Sequence, residues 1–250
     1  MKSRLHSHED LERALFELNL HSNLNHKHLI PFLGGEETHD SVIIVTPLAK
    51  SDLSALSQNK VFSESNCRRL ARQLLKGLEY IHALNLVHGD IKPHNILMFL
   101  GSAGRYIAKI CDFGFTEKLG DANTIPFRGM RGSLGYFSPE QLRRKSYGQA
   151  VDIFALGIII YTMMCGYEPF YPSNRAGLLV GDPELDSKIL VFDEPYWNTI
   201  STDAVSFLKK LLHGDPSLRL TAAQALSSEW ISQPDSLGAS SNEDAEIQFE

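Results

Sequence analysis

The sequence predicts an α+β protein with a few strands near the amino terminus and a mainly helical remainder. An apolar run at residues 42–45 predicts a strand, which ends before Pro47 because proline cannot donate a hydrogen bond to a sheet. Apolar side chains then recur at the spacing of an amphipathic helix over residues 67–81. A continuous apolar run at residues 153–165 predicts a second helix, buried in the core.

The composition is that of a globular chain. Of the 250 residues, 43% are apolar and 22% charged, which excludes disorder as the main state. The 24 basic and 30 acidic residues give a net charge of −6, and this balance argues against a nucleic-acid partner bound by bulk charge. The three cysteines, Cys67, Cys111 and Cys165, form no CxxC pair, so we expect neither a zinc site nor a disulfide framework.

No segment predicts export or a membrane span. The first 18 residues are charged throughout and lack the apolar stretch of a signal peptide. The apolar run at residues 153–165 contains Gly157 and is too short to cross a bilayer. We therefore expect no membrane partner and a location in the cytoplasm or nucleus.

The two ends of the chain have different patterns. Residues 9–24 read as a helix with Leu11, Leu15 and Leu18 on one face. At the other end, residues 233–250 hold five acids and no Lys or Arg, which predicts a disordered tail.

Two further patterns concern helix surfaces and helix starts. Arg68, Arg69 and Arg72 lie off the apolar face of the helix at residues 67–81, and we expect them on a solvated face. Thr221 and Gln224 form a capping box, which predicts that a short helix starts there.

The residues with chemical potential lie between positions 86 and 115. Asp90, Asn95 and Asp112 supply oxygen atoms of the kind that Mg²⁺ prefers, and Mg²⁺ commonly takes one or two protein ligands beside phosphate oxygens. Lys92, two residues after Asp90, can neutralise the charge of a phosphoryl group while Asp90 orients a hydroxyl.

These residues resemble the signature of the eukaryotic Ser/Thr protein kinases. The run HGDIKPHN resembles the catalytic loop, Asp112-Phe113-Gly114 the metal-binding motif, and Ser138-Pro139-Glu140 the APE motif. Four fixed residues of D-x-K-P-x-x-N would arise by chance about twice in a thousand chains of this length, at ~1/20 per residue. Residues 146–171 and 195–219 look most like the calcium/calmodulin-dependent kinase group.

The resemblance implies a kinase-like fold that uses ATP and Mg²⁺ and acts on a protein hydroxyl. It assigns Asp90 to the substrate hydroxyl, Lys92 to the γ-phosphoryl charge, and Asn95 and Asp112 to magnesium. It also implies nucleotide-binding roles for Glu17, Val45, Thr46, Leu48 and Leu97. Supporting roles fall to His88, Phe113, Gly114, Ser133, Glu140, Asp152 and Arg219.

Three of these supporting residues are charged and are expected to be buried. Asp152 matches the helix aspartate that supports the catalytic loop, and Glu140 and Arg219 match an ion pair, since lone charges in apolar runs are costly. Lys92 and Ser133 occupy positions typical of Ser/Thr kinases.

The resemblance divides the chain into three parts. Residues 1–48 correspond to a partial N-lobe and hinge, residues 49–232 to the C-lobe, and residues 233–250 to the acidic tail. The glycine-rich loop and the V-A-I-K strand are missing, which leaves αC, β4 and β5 as the expected N-lobe. Such a remnant would expose apolar surface, and a second kinase or a regulatory protein could dock there.

Other departures bear on the site. Lys2 is either the lysine of the third kinase strand or part of a frayed terminus. Gly89 replaces the arginine that usually receives an activation-loop phosphate, so we expect phosphorylation between residues 114 and 138 not to be the main switch. His21 stands at a usually apolar position. His94 and Thr162 replace glutamates of arginine-selecting kinases, which argues against arginine-rich substrates.

Three interpretations of the whole chain remain open at this point. The first is an active Ser/Thr protein kinase, because the catalytic set is intact. The second is a truncated pseudokinase that acts as a regulatory binding module. The third is a non-functional product, which would be insoluble. The sequence shows neither a calcium-binding loop nor a calmodulin-binding helix after Trp230.

Overall fold

The computed structural model describes residues 2–4, 8–58, 60–101, 105–170 and 190–234. All but the first two residues of the expected acidic tail lie outside these ranges. The described chain forms a small amino-terminal lobe and a larger, mainly helical lobe, as the sequence predicts. Within the described residues, no helix combines the length and the apolar character needed to cross a membrane.

The small lobe consists of a three-stranded antiparallel sheet and one helix. Strand β3 (Ser41–Val45) lies between β2 (Gly34–Glu37) and β1 (Lys2–Arg4), and the helix α1 (His8–Asn23) packs on this sheet. The lobe is reduced as expected, but it has three strands instead of two. In β1, Lys2 pairs with Ile43, so the interpretation of Lys2 as part of a frayed end is wrong.

Helix α1 uses two faces. Leu11, Leu15 and Leu18 pack against the sheet in a small apolar cluster, as the spacing predicts. The next face buries two polar side chains, Glu17 and His21. The helical spacing alone does not predict this second face, because a carboxylate and an imidazole give no apolar signal; the resemblance alone singled out these two residues.

Two helices form the core of the large lobe. The predicted apolar positions of α3 (Glu64–Ala83) are all buried. Helix α5 (Ala150–Cys165) is buried on nearly every side, which confirms the predicted core helix. The other α-helices of the large lobe among the described residues are α2 (Leu53–Ser57), α4 (Pro139–Leu142), α6 (Thr202–Leu211), α7 (Ala222–Leu226) and α8 (Glu229–Ser232).

Short strands hold the loops that carry the candidate catalytic residues. The hairpin of β6 (Ile96–Leu100) and β7 (Tyr106–Ile110) is extended by β4 (Ser51–Asp52), which pairs with β6. Separately, β5 (Leu86–Val87) pairs with β8 (Glu117–Lys118). The loop from β5 to β6 therefore has fixed ends.

The three arginines of α3 do not form a solvated face, so that prediction is wrong. Arg68 and Arg69 are buried. Arg68 donates to the carbonyl of Pro234 at 3.4 Å, and Arg72 donates to the carbonyl of Ile231 at 3.2 Å. These guanidinium groups therefore donate to carbonyls in the last turn of α8 and just beyond it. Carbonyls at the end of a helix have no donor within the helix itself.

The carboxy-terminal capping box is confirmed. Thr221 Oγ1 accepts from the backbone N–H of Gln224 at 3.2 Å, and the Gln224 side chain accepts from the N–H of Thr221 at 2.8 Å. The segment that follows forms two short helices, α7 and α8, instead of one.

Candidate active site

The loop after β5 is fixed by a buried aspartate from the core helix. Asp152 Oδ2 accepts hydrogen bonds from His82 Nε2 and from the backbone N–H of His88, both at 2.9 Å. Its Oδ1 accepts from the N–H of Gly89 at 2.9 Å. Burial alone would raise the pKa of Asp152, but these donors hold the pKa below its ordinary value. A charged carboxylate therefore anchors the loop.

Gly89 is required by the backbone at this point. Its φ is +80°, a conformation that favours glycine, and a Cβ here would lie 2.9 Å from the carbonyl oxygen of Phe115. The loop thus passes directly against the chain that follows the Asp112-Phe113-Gly114 motif.

The predicted catalytic residues of this loop meet at one carboxylate. Asp90 is only 3% exposed, and its Oδ2 accepts from Lys92 Nζ at 2.6 Å and from Asn95 Nδ2 at 3.0 Å. Lys92 Nζ also donates to Ser133 Oγ at 2.9 Å. Within the described part of the chain, Asp90 Oδ1 has no hydrogen-bond partner. One oxygen of the carboxylate is therefore held in place, while the other is buried and accepts no hydrogen bond from the described residues.

Asp112 lies in a strained turn. Its φ is +66°, which is uncommon for a residue with a side chain, and its Oδ1 accepts from the N–H of Gly114 at 3.3 Å. Glu17 of α1 reaches the same place, since its Oε2 lies 3.3 Å from where a Cβ of Gly114 would be. Burial first, and the neighbouring Asp112 second, raise the pKa of Glu17 to about 7.

Phe113 connects the two lobes through aromatic contacts. It is fully buried, with the ring of His21 at 5.0 Å and that of His88 at 5.6 Å. His21 Nε2 donates to the carbonyl of Ile30 at 2.8 Å, and burial lowers its pKa, so it packs as a neutral ring. The histidine is thus tolerated at this position because its polar nitrogen has a backbone partner.

The donor atoms fit a magnesium ion that arrives with phosphates. Asn95 Nδ2 donates to both the carbonyl and the carboxylate of Asp90, which leaves its amide oxygen for another partner. Together with Asp112 it offers an oxygen-only set, which suits Mg²⁺. No cluster of three His, Cys, Asp or Glu side chains among the described residues could hold a metal ion without such outside ligands.

The predicted nucleotide contacts of the hinge lie largely in the open. Leu48 is 97% exposed and Val45 is 49% exposed, while Thr46 and Leu97 are partly buried. Leu97 packs on the large core. The structure therefore does not gather these four side chains into a covered wall, and their contact with a nucleotide stays a prediction.

Glu140 and Arg219 form a buried bidentate ion pair, with nitrogen–oxygen distances of 2.6 and 2.7 Å. Arg219 also donates to the carbonyl of His213 at 2.6 Å and lies over the ring of Phe154. This pair fixes α4 to the base of the large lobe.

Sequence analysis missed His82, which lies beside Asp152. The signal was present, since His82 is in the last turn of α3, four residues after the buried Leu78, and therefore on the buried face. A histidine at that position is placed to meet the loop that follows the helix.

Comparisons with known proteins agree with this geometry. Residues 1–231 match the family described as "Protein kinase domain". A calcium/calmodulin-dependent protein kinase, cmkA, from Emericella nidulans is 36% identical over 223 residues, which cover 88% of this chain and 53% of that protein.

Two further relatives have similar names. A calcium/calmodulin-dependent protein kinase from Metarhizium anisopliae is 34% identical and covers 86% of this chain and 56% of its own length. The type 1B kinase of Rattus norvegicus is 40% identical over 175 residues, 68% of this chain and 48% of its own length. The chain spans about half the length of these relatives. The chain belongs to the protein kinase family, and its similarity places it in the calcium/calmodulin-dependent group of the Ser/Thr kinases.

Proposed function

We propose that this chain binds ATP with Mg²⁺ and transfers the γ-phosphoryl group to a serine or threonine hydroxyl of a protein. One observation carries the proposal, namely the Asp90 carboxylate with Oδ2 held by Lys92 and Asn95 and Oδ1 without a partner. This oxygen is buried in the present conformation, and an acceptor oxygen without a partner can orient a substrate hydroxyl once it becomes accessible.

Each residue of the cluster then has a defined task. Asp90 Oδ1 accepts the hydrogen bond of the incoming hydroxyl, orients it, and takes its proton. Lys92, held between Asp90 and Ser133, keeps a positive charge where the transferred group becomes most negative. Asn95 and Asp112 would hold Mg²⁺ through their oxygens. ATP and Mg²⁺ supply the transferable phosphoryl group and part of its charge neutralisation.

A cavity beside this cluster suits a substrate side chain. Its volume is about 400 Å³, and Pro93, the residue after Lys92, forms part of its wall. The lining residues, none of which is acidic, are Leu53, Ser57, Lys60, Val61, Pro93, Tyr136, Ile159, Thr162, Met163 and Gly166. A cavity without carboxylates does not favour arginine, which supports the expectation that arginine-rich substrates are not preferred.

A second function, regulatory binding without catalysis, is favoured by the exposed apolar surface of the small lobe. Leu48, Leu33, Val45 and Phe16 are all at least 45% exposed. Exposed apolar side chains grouped on one small lobe suit a protein partner, such as another kinase or a regulatory protein.

Nucleotide binding distinguishes the two functions. We expect the purified 250-residue chain to bind ATP in a Mg²⁺-dependent manner, measured by calorimetry with and without a chelator. Asp112→Asn should abolish the metal dependence, while Asp193→Asn, an exposed aspartate, should leave it unchanged. A folded wild-type chain that binds no nucleotide would contradict the enzyme proposal and leave the binding function.

A further inference from the structure

A second, smaller apolar cluster lies apart from the main core of the large lobe. Its buried members are Val87, Leu119, Ile125 and Val151, and Tyr147 packs against them. We call these five residues the latch. Two of the five lie in the activation segment, defined as residues 115–137, between the Asp112-Phe113-Gly114 motif and Ser138.

The latch joins two different parts of the chain. Leu119 and Ile125 belong to the activation segment. Val87 on β5, Val151 on α5 and Tyr147 before α5 belong to the frame of the large lobe. Ile125 is buried although its neighbours on both sides, residues 124 and 126, are exposed. Burying one isoleucine of an otherwise exposed stretch fixes that stretch to the frame.

Backbone hydrogen bonds reinforce both contact points. The N–H of Leu119 donates to the carbonyl of Asn85 at 2.8 Å, next to the pairing of β5 with β8. Ile125 and Tyr147 exchange two hydrogen bonds, with N–O distances of 2.7 and 3.1 Å. The Tyr147 hydroxyl donates to Glu117 Oε1 at 3.0 Å. The segment is therefore held by main chain and side chain together.

Two observations argue against attachment of the activation segment to the large lobe through a phosphate. Gly89 has no side chain with which to bind a phosphate, and a Cβ there would meet Phe115. Thr116 is only 5% exposed, so its hydroxyl is out of reach of another kinase in this conformation. The remaining threonine of the segment, Thr124, is exposed and lies directly before the latch residue Ile125.

We propose that the latch holds the activation segment on the large lobe without a phosphate, and that Ile125 and Tyr147 are thereby positioning residues for phosphoryl transfer. The segment carries Ser133, whose hydroxyl accepts from Lys92, so its placement also sets the position of Lys92. The catalytic part of this inference rests on the proposed function, whereas the attachment of the segment does not.

The attachment is tested by limited trypsin digestion of the phosphatase-treated 250-residue chain. Arg128 and Arg131 lie in the activation segment and report its release. We expect slow cleavage there in the wild-type chain and at least tenfold faster cleavage in Ile125→Ala. Ile125→Val, which keeps most of the buried surface, should restore slow cleavage, and Thr124→Ala is the matched control and should behave as wild type.

Tyr147→Phe provides a second variant in case Ile125→Ala fails to fold. It removes only the hydroxyl bonded to Glu117, and we expect a two- to fivefold faster cleavage. Equal cleavage rates in wild type and in the variants that fold would overturn the proposal. Protection of the wild-type segment only after phosphorylation would overturn it as well.

The catalytic arm uses the same proteins in a phosphate-transfer assay. We expect Ile125→Ala to lower kcat at least tenfold with little change in the KM for ATP, since Asn95 and Asp112 are not displaced, and Ile125→Val to restore kcat. An unchanged kcat in a variant with a released segment would refute the positioning role. Faster cleavage in Ile125→Ala together with no transfer by wild type would support the attachment and refute the proposed function instead.

Discussion

The two lobes compensate buried charge in opposite ways. In the large lobe, Glu140 is buried against Arg219 with both carboxylate oxygens paired. In the small lobe, Glu17 is also buried, and its burial first and the acid Asp112 second raise its pKa to about 7. The buried carboxylate of the large lobe therefore has its counter-ion within the same lobe. The polar face of α1 is built around groups that gain from a cation or a nucleotide complex.

The apolar packing shows the same contrast. The large lobe is built on α3 and α5, which bury nearly all their apolar side chains, whereas the small lobe has one cluster around Ala14, Val42 and Ile44. The catalytic loop residues belong to the well-packed part, and the predicted hinge contacts Val45 and Leu48 belong to the exposed part. The Asp90 carboxylate, the proposed proton acceptor, thus belongs to the well-packed lobe, while the proposed nucleotide contacts belong to the smaller lobe.

Removing the cation of the buried pair gives the largest expected effect on this comparison. Arg219→Met leaves Glu140 buried and unpaired, and we expect the free energy of unfolding to fall by about 3–5 kcal/mol in urea titrations. Lys210→Met, which removes an exposed charge, is the control. Combining Arg219→Met with Glu140→Gln should recover part of the loss; no recovery would show that the pairing itself is not what Arg219 provides.

Matched leucine truncations compare the packing of the two lobes. Leu75 in α3 is fully buried, and Leu75→Ala should cost about 2–5 kcal/mol of unfolding free energy. Leu48→Ala in the hinge should cost less than about 0.5 kcal/mol because the side chain is exposed. A comparable loss in both variants would mean that the hinge is covered in solution.

A pair of glycine substitutions separates a required glycine from a permissive one. Gly89→Ala meets both a φ of +80° and the carbonyl of Phe115, and we expect a loss of about 1–3 kcal/mol, measured by thermal unfolding. Gly34→Ala in β2 has open space around it and should leave stability unchanged or slightly higher. Equal effects would show that the close approach of Phe115 is not maintained.

A further expected effect is a dependence of stability on pH that arises in the small lobe. The pKa of Glu17 is raised from 4.5 to about 7, so the folded chain binds a proton that the unfolded chain releases. The resulting stability is present below pH 4.5 and is lost as the pH rises through about 7. Glu17→Gln should remove this slope in unfolding titrations, Glu36→Gln, on an exposed strand, should keep it, and an unchanged slope in Glu17→Gln would contradict the assignment.

Most features that depend on residues close together in sequence could be predicted. The cluster of Asp90, Lys92 and Asn95 could be predicted because the D-x-K-P-x-x-N motif places all three in one loop of eight residues between β5 and β6. The buried face of α3 followed from its spacing.

The features that were not predicted depend on contacts distant in sequence. Arg68 is buried because Trp230 and Pro234 meet it from a distant part of the chain, and Ile125 is buried because Tyr147 does the same. Strand β1 has only three residues, which is too short to give a periodic signal. In each case a contact with residues distant in sequence, and not the local sequence pattern, determines whether the side chain is buried or the strand is paired.

The central claim concerns the carboxylate of Asp90, and transfer of phosphate from Mg²⁺-ATP to a generic protein substrate tests it most directly. We expect measurable transfer by the wild-type chain and by Asp193→Asn. Asp90→Asn should reduce the rate by about 10²–10⁴-fold with nucleotide binding intact, which is the usual contribution of a proton acceptor. Transfer by Asp90→Asn at the wild-type rate, or no transfer by a folded wild-type chain that binds Mg²⁺-ATP, would contradict the account.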